Sequence, residues 1–167
     1  MRNILFLDID GVLNSNFWNE THQREISDGA LIDEEKIKLL AELVKSTGAE
    51  IILHSGWRFW YDGDRKPLRK EAQRLSDLLA KEGLKVADVT PDLTTEEIRQ
   101  SEKFSLVKAK EILLWIESHK DIGHWVVLDD LDLHDAVVEE HQVRTDQTVG
   151  LTQEDVQAAK RILGIEA

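Results

Sequence analysis

A chain of 167 residues with a net charge of -12, a hydrophobic fraction of 41% and no cysteine fits one domain with one core. The acidic balance argues against a general nucleic-acid binder, which needs many Lys and Arg contacts to phosphate, and the missing cysteine excludes disulfides, thiolate metal sites and cysteine nucleophiles. No apolar run approaches the length of a membrane span and no signal-peptide pattern follows Met1, so the expectation is a single cytoplasmic domain over residues 1–167 with no membrane partner.

Short apolar runs alternate with longer stretches of helical period, which predicts an α/β fold with a mainly parallel five-stranded sheet and helices on both faces. The first run, Ile4 to Leu7, ends at Asp8 and Asp10, and the polar, aromatic segment Asn14 to Leu31 behind it is expected to form a small flap or lid. Asp33 then caps a helix with Glu34 and Glu35 in its first turn, Ile37, Leu40 and Val44 on one face, and Gly48 as its stop. Ile51 to Leu53 is the second strand, closed by Ser55. A helix is expected to open at Pro67 and close at Gly83, followed by a strand at Val86 to Val89. Thr90 to Lys103 reads as irregular. A helix from Ser105 should turn Ile112, Leu113 and Ile116 inward. Trp125 to Leu128, ending at Asp129 and Asp130, is the fourth strand, and His141 to Thr145 a weaker fifth. The last helix starts with a Thr152 to Asp155 capping box and ends near Gly164.

In parallel α/β sheets, ligands bind beyond the carboxyl ends of the strands, where these acids fall. If the first and fourth strands are neighbours, Asp8, Asp10, Ser55, Asp129 and Asp130 converge. Residues i and i+2 of an extended chain point the same way, so Asp8 and Asp10 can face one reacting group. Crowded carboxylates need a cation, and hard oxygen donors suit Mg²⁺, which completes its shell with water and substrate phosphate. Gly11 allows the chain to turn closely around that phosphate. The basic stretch Arg58, Arg65, Lys66, Arg69 and Lys70 could supply a local anion pocket. Trp57 could line the site or lie in the core. Asp132 reads as a solvated acid in the last acidic loop. His22, His54, His119, His124, His134 and His141 lack zinc-ligand spacing and read as surface or packing residues.

The runs Phe6-Leu7-Asp8-Ile9-Asp10-Gly11-Val12-Leu13-Asn14, Ile51-Ile52-Leu53-His54-Ser55 and Val126-Val127-Leu128-Asp129-Asp130, taken in order, resemble the haloacid dehalogenase (HAD) superfamily. With Ser55-Gly56-Trp57-Arg58 and Val149-Gly150-Leu151-Thr152, the chain looks most like the small capless HAD domains of RNA-repair (Swiss Army Knife) proteins. The resemblance implies a Rossmann-like, doubly wound sheet without a large cap. It also implies a Mg²⁺-dependent phosphomonoesterase. Asp8 would be the nucleophile that forms an aspartyl-phosphate, Asp10 the general acid and base, and Ser55 a phosphate ligand. Asp8, Asp10, Asp129 and Asp130 would form the metal site, with Asp130 favoured as the direct ligand. Lys108 is the preferred third-motif cation, with Lys103 and Lys110 as alternatives. Gly11, Gly56 and Arg58 would contact substrate: a nucleic-acid 3'-phosphate end, a nucleotide or a small phosphometabolite. A non-catalytic HAD-like module is the other reading. A receiver-like domain would place its acids differently, and a two-metal nuclease suits the acidic charge poorly.

Overall fold

The computed structural model describes residues 1–15, 32–101 and 103–165. Most of the expected lid, Asn14 to Leu31, and with it His22, lies outside the described residues. Five strands, β1 (Arg2–Leu7), β2 (Glu50–Leu53), β3 (Val86–Val89), β4 (Ile122–Asp129) and β5 (Gln142–Arg144), form one parallel sheet in the order β3-β2-β1-β4-β5. The helices are α1 (Glu34–Thr47), α2 (Lys70–Lys81), α3 (Glu96–Ser101), α4 (Ser105–Glu117), α5 (Ala136–Glu140) and α6 (Gln153–Ile162), with a 3-10 turn at Gly56–Trp60. Among the described residues, no helix is long and apolar enough to cross a membrane.

Strand alternation divides the core in two. Leu5, Leu7, Ile51, Leu53, Val126 and Leu128 face one side, which is covered by α1, α2 and α6. Ile4, Phe6, Ile52, Trp125 and Val127 face the other, covered by α4 and α5. Phe6 meets Trp115 and Trp125 edge-on at ring-centroid distances of 5.5 and 6.0 Å, a favoured aromatic arrangement. Each fully buried Leu, Ile or Phe here contributes roughly 1.5–3 kcal/mol relative to exposure, which makes this double-sided burial the main stabilising term.

The caps follow the sequence. Asp33 accepts from the Glu35 amide, Gly48 ends α1 at φ 69°, and Thr152 and Asp155 form the capping box of α6. Four expectations shift. Pro67 does not open a helix: Tyr61 and Pro67 pair as an isolated antiparallel bridge, and the Leu68 amide donates to the Trp60 carbonyl at 2.7 Å, so this stretch stays extended and α2 begins at Lys70. Thr90 to Lys103 is not wholly irregular, because α3 forms within it. That helix buries no residue, so it leaves no apolar period to read. In α4 the inward stripe is Lys108, Glu111, Ile112 and Trp115, while Leu113 and Ile116 are only partly buried. The fifth strand is shorter at both ends than His141 to Thr145.

Candidate active site

The sheet register builds the site. Leu7 pairs with Leu53 on one side and Leu128 on the other. One step further, the Asp8 amide donates to the Leu128 carbonyl at 3.0 Å and the His54 amide to the Leu7 carbonyl at 3.1 Å. Asp8, His54 and Asp129 therefore stand side by side, and strand parity turns them toward the face covered by α4. Lys108, on the inward stripe of α4, reaches them there. Its Nζ lies 2.9 Å from Asp129 Oδ2 and 3.6 Å from Asp8 Oδ1. Lys110 and Lys103 are both exposed, the latter at the cavity mouth.

His54 is fully buried and its Nε2 lies 2.8 Å from Asp129 Oδ2. Burial holds the imidazole below its ordinary pKa despite the Asp129 carboxylate, so the neutral ring donates through Nε2. Its Nδ1 has no hydrogen-bond partner among the described residues. Burial works against the Asp129 charge, but His54, Lys108 and the Leu131 amide together hold that carboxylate well below the usual range. Burial would lower the Lys108 amine, yet Asp8 and Asp129 push it above its ordinary value. Asp8 is raised well above the usual range by burial and then by Asp129. Burial and Asp129 push Asp130 up to about 6.

Ser55 caps the 3-10 turn by accepting from the Trp57 amide at 3.1 Å and lines the cavity with Gly56. Arg58 reaches the cavity wall, but both terminal nitrogens of its guanidinium are committed. It donates to the His54 and Ser55 carbonyls, each at 3.0 Å, and to Glu111 Oε2 at 2.8 Å. The same Glu111 oxygen accepts from the Leu93 amide at 2.9 Å, tying the loop after β3 to the Ser55 turn. The basic stretch does not assemble one anion pocket: Arg65 pairs with Asp88, and Arg69 lies 4.4 Å over the Trp60 ring.

Asp8, Asp10, Gly11, Ser55, Lys108 and Asp130 share the lining of one cavity of about 680 Å³. Asp8 is buried and Asp10 exposed. Gly11 has φ 82°, and a Cβ there would stand 2.6 Å from Asp130 Cγ, so Asp130 occupies the space that only glycine leaves open. Thr145 supports this turn by donating to the Gly11 carbonyl at 2.8 Å. Donor atoms of Asp8, His54 and Asp129 all lie within 4.8 Å of one another, a cluster that could hold a metal ion, and Asp130 adds a further carboxylate beside Asp8. Asp132 is exposed, as expected. Sequence reasoning missed His54 and Thr145 as parts of the site. Their signal was only position: each sits at the carboxyl end of a strand.

The family described as the HAD domain in Swiss Army Knife RNA repair proteins matches residues 4–156. No curated protein matches the chain. The strand order, the strand-end carboxylates and this match over most of its length show that the chain belongs to that HAD family.

Proposed function

We propose that this HAD domain is a Mg²⁺-dependent phosphomonoesterase in which Asp8 attacks phosphorus and Asp10 moves the proton. The observation that carries this reading is the convergence of Asp8, Asp10, Ser55, Lys108 and Asp130 on one cavity at the carboxyl ends of β1, β2 and β4. In the first step an Asp8 carboxylate oxygen forms a bond to phosphorus as the ester bond breaks, and Asp10 gives its proton to the departing alcohol. In the second, water attacks the aspartyl-phosphate while Asp10 takes the proton back, releasing phosphate and restoring Asp8. Lys108 balances the charge of Asp8 and Asp129, and Ser55 donates its hydroxyl to a phosphate oxygen.

Asp130, Asp8 and the main chain at Asp10 are the residues that would hold Mg²⁺. Two features fit: the crowding of carboxylates, whose mutual repulsion a cation would relieve, and the missing side chain at Gly11, which lets the Asp130 carboxyl stand against the turn after Asp10. Asp129 serves instead as a support, because both its oxygens are occupied, Oδ2 by His54 and Lys108 and Oδ1 by the Leu131 amide. The Lys108 ammonium likewise occupies the space between Asp8 and Asp129, which favours the Asp130 side. When bound, Mg²⁺ would neutralise these carboxylates and stabilise the charge on the transferring phosphoryl oxygens.

The cavity mouth supports a substrate class. Phe59, Phe104 and Leu131 line it and remain 53%, 46% and 38% exposed, a rim suited to a leaving group with an apolar face, such as a nucleotide, rather than a bare sugar. The net charge of -12 favours a short substrate over a long polyanion. The test is phosphate release from p-nitrophenyl phosphate, a mononucleotide, a sugar phosphate and a 3'-phosphorylated oligonucleotide, with Mg²⁺ and with chelator. Turnover should require the metal, favour the nucleotide over the sugar phosphate, and fall on the order of 10³-fold or more in Asp8→Asn. Release that survives in Asp8→Asn removes the nucleophile assignment.

A further inference from the structure

Asp10 is held from two sides. Its Oδ1 accepts Asn14 Nδ2–H at 3.0 Å, and its Oδ2 accepts the indole Nε1–H of Trp57 at 3.3 Å. The Trp57 ring is only 6% exposed and packs on Trp60 at a centroid distance of 4.8 Å, so its N–H points from a fixed body. The main-chain N–H of the same residue donates to Ser55 Oγ. One residue thus couples the Ser55 turn at the end of β2 to the acid at the end of β1. Asp10 itself is exposed, and an exposed carboxylate on a turn is free to sample several rotamers unless a donor fixes it.

We propose that Trp57 is a positioning residue that aims the Asp10 carboxyl at the leaving-group oxygen through its indole N–H. This rests on Asp10 acting as the general acid. As the Asp8 oxygen bonds to phosphorus, the electron pair of the breaking ester bond goes to the leaving oxygen, which takes the Asp10 proton. The products are the neutral alcohol and an Asp10 carboxylate that accepts the Trp57 and Asn14 donors. A phenyl ring at position 57 would keep an aromatic body against Trp60 and remove this donor, together with part of the buried ring. General acid catalysis matters most for poor leaving groups, because a nitrophenolate departs without a proton whereas an alkoxide does not.

The experiment compares kcat/KM for an alkyl phosphate, glycerol phosphate, with that for p-nitrophenyl phosphate. In Trp57→Phe the alkyl-to-aryl ratio should fall about 10-fold or more, while the inhibition constant of inorganic phosphate stays within about twofold of wild type. In Trp60→Phe, which changes the packing of Trp57 but keeps its N–H, the ratio should hold. In an Asp10→Asn background, Trp57→Phe should lower the ratio no further. A merely structural role would lower both esters alike, and an unchanged ratio in Trp57→Phe overturns the proposal. If the wild type releases phosphate from neither ester and from neither a mononucleotide nor a 3'-phosphorylated oligonucleotide, the phosphatase reading fails on its own. The contact is then read from the indole ¹H–¹⁵N resonance that disappears in Trp57→Phe. It should move upfield in Asp10→Ala as the carboxylate acceptor is lost, and a resonance that stays in place overturns the proposal.

Discussion

At the scale of single residues, the site depends on which atoms are already committed. Arg58 has the chemistry of a phosphate ligand, yet its guanidinium is tied to two carbonyls and to Glu111. Its loss should therefore be felt first as stability. Arg58→Ala leaves Glu111 buried without its cation and should cost about 3–5 kcal/mol, whereas adding Glu111→Gln should recover part of that loss, both measured by denaturant unfolding. Gly11 makes the opposite case, a residue that acts by what it lacks. Gly11→Ala forces a side chain to φ 82° and into contact with Asp130. It should lower stability by about 1–2 kcal/mol and also weaken Mg²⁺ binding, which titration of the folded variant by calorimetry would read. A variant with wild-type Mg²⁺ affinity would detach Asp130 from the metal site.

At the scale of elements, the lever is register. Pairing Leu7 with both Leu53 and Leu128 lines up Asp8, His54 and Asp129 across three strands, and a slip of one residue would turn them to the face covered by α1, α2 and α6. Helix α4 then supplies Lys108 because the lysine continues the stripe of Glu111, Ile112 and Trp115. A lysine on an inward helix stripe is costly to bury unless anions wait for it, and here two do. Lys108→Met should preserve packing yet leave Asp8 and Asp129 facing each other without a cation. Phosphate release should then drop by about 10²-fold or more, while the same change at exposed Lys110 should leave it unaltered, both read in the steady-state assay.

At the scale of the whole molecule, the acidic site sets a pH dependence with a definite sign. Asp130 titrates near 3.8 unfolded and at about 6 folded, so the native state holds this proton more tightly. Its contribution to stability is greatest below 3.8 and declines as pH rises to about 6; Asp8, raised by the same causes, acts in the same direction. Asp129, held below its ordinary value, acts in a separate window, losing its contribution only as pH falls below 3.8. Scanning calorimetry of chelated protein should therefore show this site favouring pH 5 over pH 8, with Asp130→Asn flattening the difference. Added Mg²⁺ should raise the melting temperature more at pH 8, where proton and cation no longer compete. A Mg²⁺ effect independent of pH would remove Asp130 from the metal site. The sequence by itself determined the parallel α/β class, since apolar runs and helical periods alternate, and it located Asp8, Asp10, Ser55, Asp129 and Asp130 at strand ends, since each acid or hydroxyl closes an apolar run. It could not show that β1 lies between β2 and β4, because strand order is decided by how helices cover both faces. Nor could it assign His54 to Asp129, commit Arg58 to Glu111 or aim Trp57 at Asp10. Those partners are 75, 53 and 47 residues apart in the chain, and only the folded sheet and its register bring them within hydrogen-bonding distance.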